Sequence, residues 1–176
     1  MTNKWGDWFV DNISSLEEKL GYILELRRVR ELWLQGELYL LSNDEQCFDL
    51  NKTGIVPGGE VDIVGDSPKM IAELKVCGRG YHKKMLNGIS LTEELSSRTE
   101  FTLENMKHHD DKEGSIFKDF CRLDAVDSSY ERYMILVIPK LVEQDTLGTI
   151  LETVKFPGKE FTRKLEYFDI RVFQLT

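Results

Sequence analysis

Asp62, Glu73 and Lys75 are the residues of this chain whose types and spacing suit chemistry at a phosphate. They lie in Gly58-Gly59-Glu60-Val61-Asp62-Ile63-Val64 and Met70-Ile71-Ala72-Glu73-Leu74-Lys75-Val76. The two apolar runs read as strands, and Asp66-Ser67-Pro68-Lys69 between them is turn chemistry. Side chains two apart on a strand point the same way, so Glu73 and Lys75 share a face. Pairing Gly65 with Met70 across the turn sets Asp62 directly opposite Glu73. Two carboxylates and an ammonium at one point of a hairpin can hold a divalent cation against a phosphate. Mg²⁺ takes oxygen ligands and keeps several waters, so one or two carboxylates plus a substrate phosphate satisfy it. A plainer alternative needs no metal: an amphipathic hairpin with Val61, Ile63, Ala72, Leu74 and Val76 inward and Glu60, Asp62, Glu73 and Lys75 facing water.

The rest of the chain must supply the elements that position these groups. Trp5, Trp8 and Phe9 make residues 1–12 too aromatic for a free tail, so this segment is expected to pack on the body. Ser15 followed by Glu18 has capping-box spacing, and Leu16, Leu20, Ile23 and Leu24 form a helical stripe behind it. Val29 to Leu41 is helical in composition, and Gly21 and Gly36 leave one bent helix or two. A short strand is expected around Gln46–Leu50, before the hairpin. Residues 78–114 are the most polar stretch and read as loops with one or two short helices. Ile116, Phe117, Phe120, Leu123 and Val126 predict an amphipathic helix over 115–126. Tyr133–Pro139 is a continuous apolar run, hence a buried strand. Gln144–Val154 reads as a helix and Phe168–Leu175 as a closing strand. Strands interleaved with helices predict an α/β or α+β sheet covered by helices.

The 176 residues suffice for a single domain with a substantial core, and 41% apolar with 31% charged residues is a globular composition. No apolar run reaches membrane-spanning length, and the N-terminus lacks the pattern of a secretory signal, so no membrane partner is expected. Cys47, Cys77 and Cys121 are widely spaced and odd in number, which reads as a reducing, cytoplasmic setting rather than a disulfide framework. The net charge of -8 argues against strong nonspecific nucleic-acid binding by the whole surface, though it leaves room for a local basic groove.

An Asp, ten residues, then Glu-x-Lys on an apolar strand resembles the PD-(D/E)xK nuclease superfamily, of restriction-endonuclease-like fold. The match covers Val61-Asp62-Ile63-Val64 and Ile71-Ala72-Glu73-Leu74-Lys75, with Val61 standing where the motif is named for Pro. Family members have a helix, a run of strands, a helix and a further strand. The resemblance implies an α/β fold with a mixed β-sheet flanked by helices, a single domain over 1–176 with its core at about 13–140 and a C-terminal extension at 141–176. It also implies a Mg²⁺-dependent endonuclease, with Mn²⁺ as substitute, that hydrolyses phosphodiester bonds in DNA. Asp62 and Glu73 would bind the metal, with the Leu74 carbonyl a further ligand, and Lys75 would assist the attacking water. The family commonly adds an acidic residue from the first helix; Glu37 is the first choice and Glu31 the second. Cutting both strands of duplex DNA is met most simply by a symmetric homodimer. Some members keep the scaffold without the activity, so the alternative is a catalytically silent module that binds protein or nucleic acid, and the acidic net charge favours protein.

Gly78-Arg79-Gly80-Tyr81-His82-Lys83-Lys84 follows the Glu-x-Lys strand directly. Arg79, Lys83 and Lys84 are expected to contact phosphates and Tyr81 to stack on a base. Arg27-Arg28-Val29-Arg30 reads as a solvated helix face, and His108-His109-Asp110-Asp111 as exposed charge rather than a metal site. Cys77 has no readable histidine partner, which makes a thiol nucleophile a poor choice.

Overall fold

The structure, a computed structural model, describes residues 4–26, 29–77, 116–140 and 158–176. Three helices come first: α1 (Lys4–Ser15), α2 (Glu17–Ile23) and α3 (Arg30–Leu41). Strands β1 (Phe48–Thr53), β2 (Glu60–Asp66) and β3 (Lys69–Val76) follow, then helix α4 (Ile116–Asp124) and strands β4 (Glu131–Pro139), β5 (Gly158–Lys164) and β6 (Phe168–Leu175). The six strands form one sheet in the order β1-β2-β3-β4-β6-β5. Only the β3/β4 pair is parallel; the other four pairs are antiparallel. The described chain is therefore an α/β protein with a mixed sheet and helices on both faces.

The helices sort the apolar side chains into two cores. Trp5, Phe9, Ile13, Leu20, Leu34 and Leu38 from α1, α2 and α3 pack against Ala72, Leu74, Tyr133, Ile135 and Val137. On the other face, Ile116, Phe120 and Leu123 of α4 pack against Ile71, Met134, Leu136 and Ile138. Period-two alternation thus sends successive residues of β4 into different cores, which explains why the whole Tyr133–Ile138 run is apolar. Each large side chain removed from water there contributes roughly 1.5–3 kcal/mol.

The aromatic N-terminal segment is helix α1, laid across the sheet. Trp5 stacks on Phe9 and meets Phe48 edge-on, while Phe9 meets Tyr133 edge-on. Gly6 makes this docking possible: a Cβ there would lie 2.4 Å from the Phe161 ring of β5.

Several local expectations change. Ser15 does not cap α2; its hydroxyl donates back to the Asn12 carbonyl at 2.7 Å, and Leu16 takes the cap position without a side-chain bond. Of the two readings left open for the stretch after Ser15, the structure has two helices, α2 and α3. The segment 158–176, expected to be an extension beyond a core ending near 140, is part of the sheet. β6 pairs with β4 along its whole length and β5 forms the edge beside it. The alternation in β4 requires this, since an unpaired β4 edge would leave a buried row of backbone groups without partners. The expected helix at 144–154 and the polar stretch 78–114 lie outside the described residues.

Candidate active site

The β2–β3 hairpin has the register the turn chemistry predicts, with Gly65 opposite Met70 and Asp66 opposite Lys69. The ladder ends at Ile63↔Ala72, whereas β3 goes on pairing with β4 as far as Val76↔Val137. β2 and β3 therefore part at Asp62, and the outer edge of β3 loses its strand partner just where Glu73 and Lys75 begin. The backbone N–H groups on that edge need acceptors. Two carboxylates supply them. Asp62 Oδ2 accepts the Leu74 N–H at 2.7 Å, and Glu31 Oε2 accepts the Val76 N–H at 3.2 Å.

The parting of the strands has a second mark. Val61 joins the core under α4 while Ile63 joins the core under α1–α3, although they are two residues apart. The expectation that both share one face with Ala72 and Leu74 is corrected by this slip. Across the ladder, Asn51 of β1 takes a positive φ of 53° between the pairs Leu50↔Ile63 and Lys52↔Val61, so both strands turn over together. Asp62 stands at the turning point.

Glu73 and Lys75 face α4, on the side of Ile71 and Cys77. Lys75 Nζ lies 3.5 Å from Glu31 Oε1, 4.0 Å from Asp62 Oδ2 and 3.4 Å from Asp119 Oδ2. Arg122 Nη1 lies 3.2 Å from Glu73 Oε1 and 3.1 Å from Asp119 Oδ1. Glu73 is 1% exposed, so the hairpin is not a solvated face with its charges in water. Four carboxylates and two cations meet here, leaving two negative charges in excess when every group is ionised.

The electrostatics follow from burial. Desolvation raises the Glu73 carboxyl to about 9, the Asp119 and Asp62 charges push the same way, and Arg122 and Lys75 oppose them only in part. Glu31 is also raised, first by burial, with Lys75 and the Val76 N–H pulling it back. The buried oxygens Glu73 Oε1 and Asp119 Oδ2 are within ion-pair distance of Arg122 and Lys75, yet neither receives a hydrogen bond.

Helix α3 brings Glu31, not Glu37, into this cluster. The buried face of α3 carries Leu34 and Leu38. Glu31 lies three and seven residues before them, on the same face one turn earlier, so it reaches the edge of the sheet. Glu37 lies off that face and pairs with Lys19 at 3.6 Å, on the helical surface. Asp119 and Arg122 are the site residues that the sequence reading missed. Their signal was the position of Asp119 between Ile116, Phe120 and Leu123, a charge on the apolar face of an amphipathic helix.

Arg79, Tyr81, Lys83 and Lys84, the residues expected to contact nucleic acid, lie outside the described residues, as do His82, His108 and His109. Of the basic helix cluster, Arg30 donates to the Leu24 carbonyl at 3.1 Å. Cys77 is fully buried, and desolvation lifts its thiol to about 12, which leaves it no nucleophilic thiolate at neutral pH. Tyr133 and Phe120 are core residues, whereas Tyr39 is about half exposed.

The donor set fits a hard cation: every available ligand atom is oxygen, two buried oxygens lack hydrogen bonds, and the cluster carries excess negative charge. Among the described residues, no three Asp, Glu, His or Cys side chains stand close enough to share one ion. No helix among the described residues is long and apolar enough to cross a membrane. Compared with protein-family models, with curated proteins and with solved structures, the chain gives no significant match in any of the three.

Proposed function

We propose that this chain is a divalent-cation-dependent phosphodiesterase of restriction-endonuclease-like fold that cleaves DNA. The observation that carries the reading is the convergence of Asp62, Glu73, Lys75 and Glu31 where β2 and β3 part. The element order α3, β1, β2, β3, α4, β4 supports it, being a helix, a run of strands, a helix and a further strand. Burial supports it too. Packing a carboxylate like Glu73 away from water costs stability unless a charge or a bond compensates, and such groups concentrate at functional sites.

In this reading Asp62 and Glu73 would hold Mg²⁺ or Mn²⁺, and the carbonyl of Leu74, the residue between Glu73 and Lys75, would be a further ligand. A bound cation supplies Lewis acidity toward a phosphoryl oxygen and lowers the pKa of a water. Lys75 would orient the attacking water and face the negative charge that grows on the phosphate as the water oxygen bonds to phosphorus and the bond to the leaving sugar oxygen breaks, the water giving its proton to solvent and the leaving oxygen taking one from it. Glu31 anchors the Lys75 ammonium from the α3 side and fixes the backbone of β3 through Val76. Asp62 fixes the same strand through Leu74, so the groups are set on rigid backbone rather than on loops.

A non-catalytic binding module has one specific observation in its favour: Lys75 and Arg122 already pair with all four carboxylates. Cleavage of plasmid and single-stranded DNA separates the two readings, with Mg²⁺ or Mn²⁺ against EDTA and native protein against Lys75→Ala. The nuclease reading expects metal-dependent cutting that falls at least about a hundredfold in the variant. No cutting by the native protein, together with no Mn²⁺ binding by calorimetry, sinks it in favour of the binding module.

A further inference from the structure

A helix on a protein surface ordinarily turns charged side chains away from the core. Helix α3 does otherwise. Its inner side buries Leu34 and Leu38, while its outer side carries Leu32 and Leu40, 63% and 77% exposed, with Gly36 midway between them. Seven of the eight large apolar side chains exposed among the described residues fall between Tyr22 and Leu41. The eighth, Tyr167, lies against the same helical layer, since a Cβ at Gly21 would be 3.2 Å from its ring. A single exposed leucine needs no explanation, but such concentration on one layer marks a contact surface.

Two further observations say what covers it. Glycine inside a helix is a poor helix former, and among the described residues a Cβ at Gly36 would meet nothing within 4 Å. Packing within the described chain therefore does not call for the missing side chain, whereas the approach of another helix across the outer face does. The ends of α3 also differ in sign. The helix opens at Arg30, preceded in sequence by Arg27-Arg28-Val29, and the chain leaves it through Ser42-Asn43-Asp44-Glu45, where Asp44 and Glu45 are exposed. The helix dipole has the same sense, positive at the start and negative at the exit.

We propose that two copies of this chain associate through the outer face of α3, the two helices antiparallel about a twofold axis at Gly36. A twofold interface must be complementary to itself, and this face is. Leu32 and Leu40 stand four residues on either side of Gly36, so Leu32 of one copy meets Leu40 of the partner subunit. The basic start of each helix then lies beside the acidic exit of the other; a parallel pair would set like charges together. Glu31 lies on the inner side of α3, toward Lys75, so association leaves the charged cluster uncovered. The need to cut two DNA strands implied a dimer without locating it. Packing and charge locate it on α3 whatever the reaction.

Sedimentation equilibrium of the full chain over a range of concentrations is the test. The native protein is expected to be a dimer at about 50 µM. Leu32→Glu with Leu40→Glu is expected to weaken association at least about a hundredfold and to leave the circular dichroism spectrum as it was, because both side chains face solvent in a single copy. Charge reversal tests the partner and the orientation independently of those leucines. Asp44→Lys with Glu45→Lys is expected to weaken self-association, and so is Arg28→Glu with Arg30→Glu. An equimolar mixture of these two variants is expected to regain the dimer, since opposite charges then meet at both ends of the helix pair. A native protein that stays monomeric overturns the inference and gives the face to a different occupant. A dimer indifferent to the leucine variant, or a mixture that does not associate, overturns it as well.

Discussion

Replacing Glu73 by Gln tests the central electrostatic claim, that burial makes this carboxyl hold its proton far above the ordinary carboxylate range. The side chain is 1% exposed and its carboxyl is raised from 4.5 to about 9. The sign follows from proton linkage. In the unfolded chain Glu73 loses its proton near its ordinary value; in the folded chain it keeps it to the raised one. Between those values the folded state binds the extra proton, so stability falls as pH rises. One pKa unit corresponds to about 1.4 kcal/mol, and the window between about pH 5 and about pH 8 therefore accounts for about 4 kcal/mol. That is a large share of the roughly 5–15 kcal/mol by which a domain is stable. Gln keeps the shape and cannot titrate. Urea unfolding of both proteins in EDTA at several pH values isolates the term, because the other titrating groups are common to both. The stability of native protein relative to Glu73→Gln is expected to fall by about 4 kcal/mol from the acid to the alkaline end of the window. A difference that stays flat across it would mean that Arg122 and Lys75 keep Glu73 ionised throughout, and the argument from desolvation would be wrong.

Two further substitutions check the placement of the site and the edge of the sheet. Glu31→Gln is expected to cut metal-dependent DNA cleavage at least about tenfold, whereas Glu37→Gln, at a surface ion pair, leaves cleavage as it was and shifts stability by no more than about 0.5 kcal/mol; the reverse order would return the acidic role on α3 to Glu37. Gly158 has φ 132°, and a Cβ there would lie 1.8 Å from the Gln174 carbonyl oxygen. Gly158→Ala is therefore expected to cost about 2 kcal/mol or more in urea unfolding and to speed amide exchange along β5; unchanged exchange would show that the strand end accommodates the methyl.

The sequence by itself was enough for what depends on neighbours along the chain. Turn chemistry at Ser67-Pro68 set the hairpin register, so Gly65 faces Met70 as read. Period two put Glu73 and Lys75 on one face, and the unbroken apolar run of β4 announced a strand covered on both sides. The spacing of Leu16 and Leu20, and of Ile116, Phe120 and Leu123, gave the helices α2 and α4, because one face of each must find a core. What remained hidden depends on chain segments far apart in sequence. Nothing local says that the β2–β3 ladder stops at Ile63↔Ala72, yet that stop frees the Leu74 and Val76 amides and draws in Asp62 and Glu31. The choice of Glu31 over Glu37 required knowing which face of α3 lies on the sheet. The partners Asp119 and Arg122 reach the site only because α4 packs over β3 and β4, bringing charges 44 or more positions along the chain from Lys75 within 3.4 Å of it or of its neighbours. Burial finishes the work. The same carboxylate that is an ordinary acid on an exposed strand becomes, under α4 and beside two other carboxylates, a group that holds its proton to about 9.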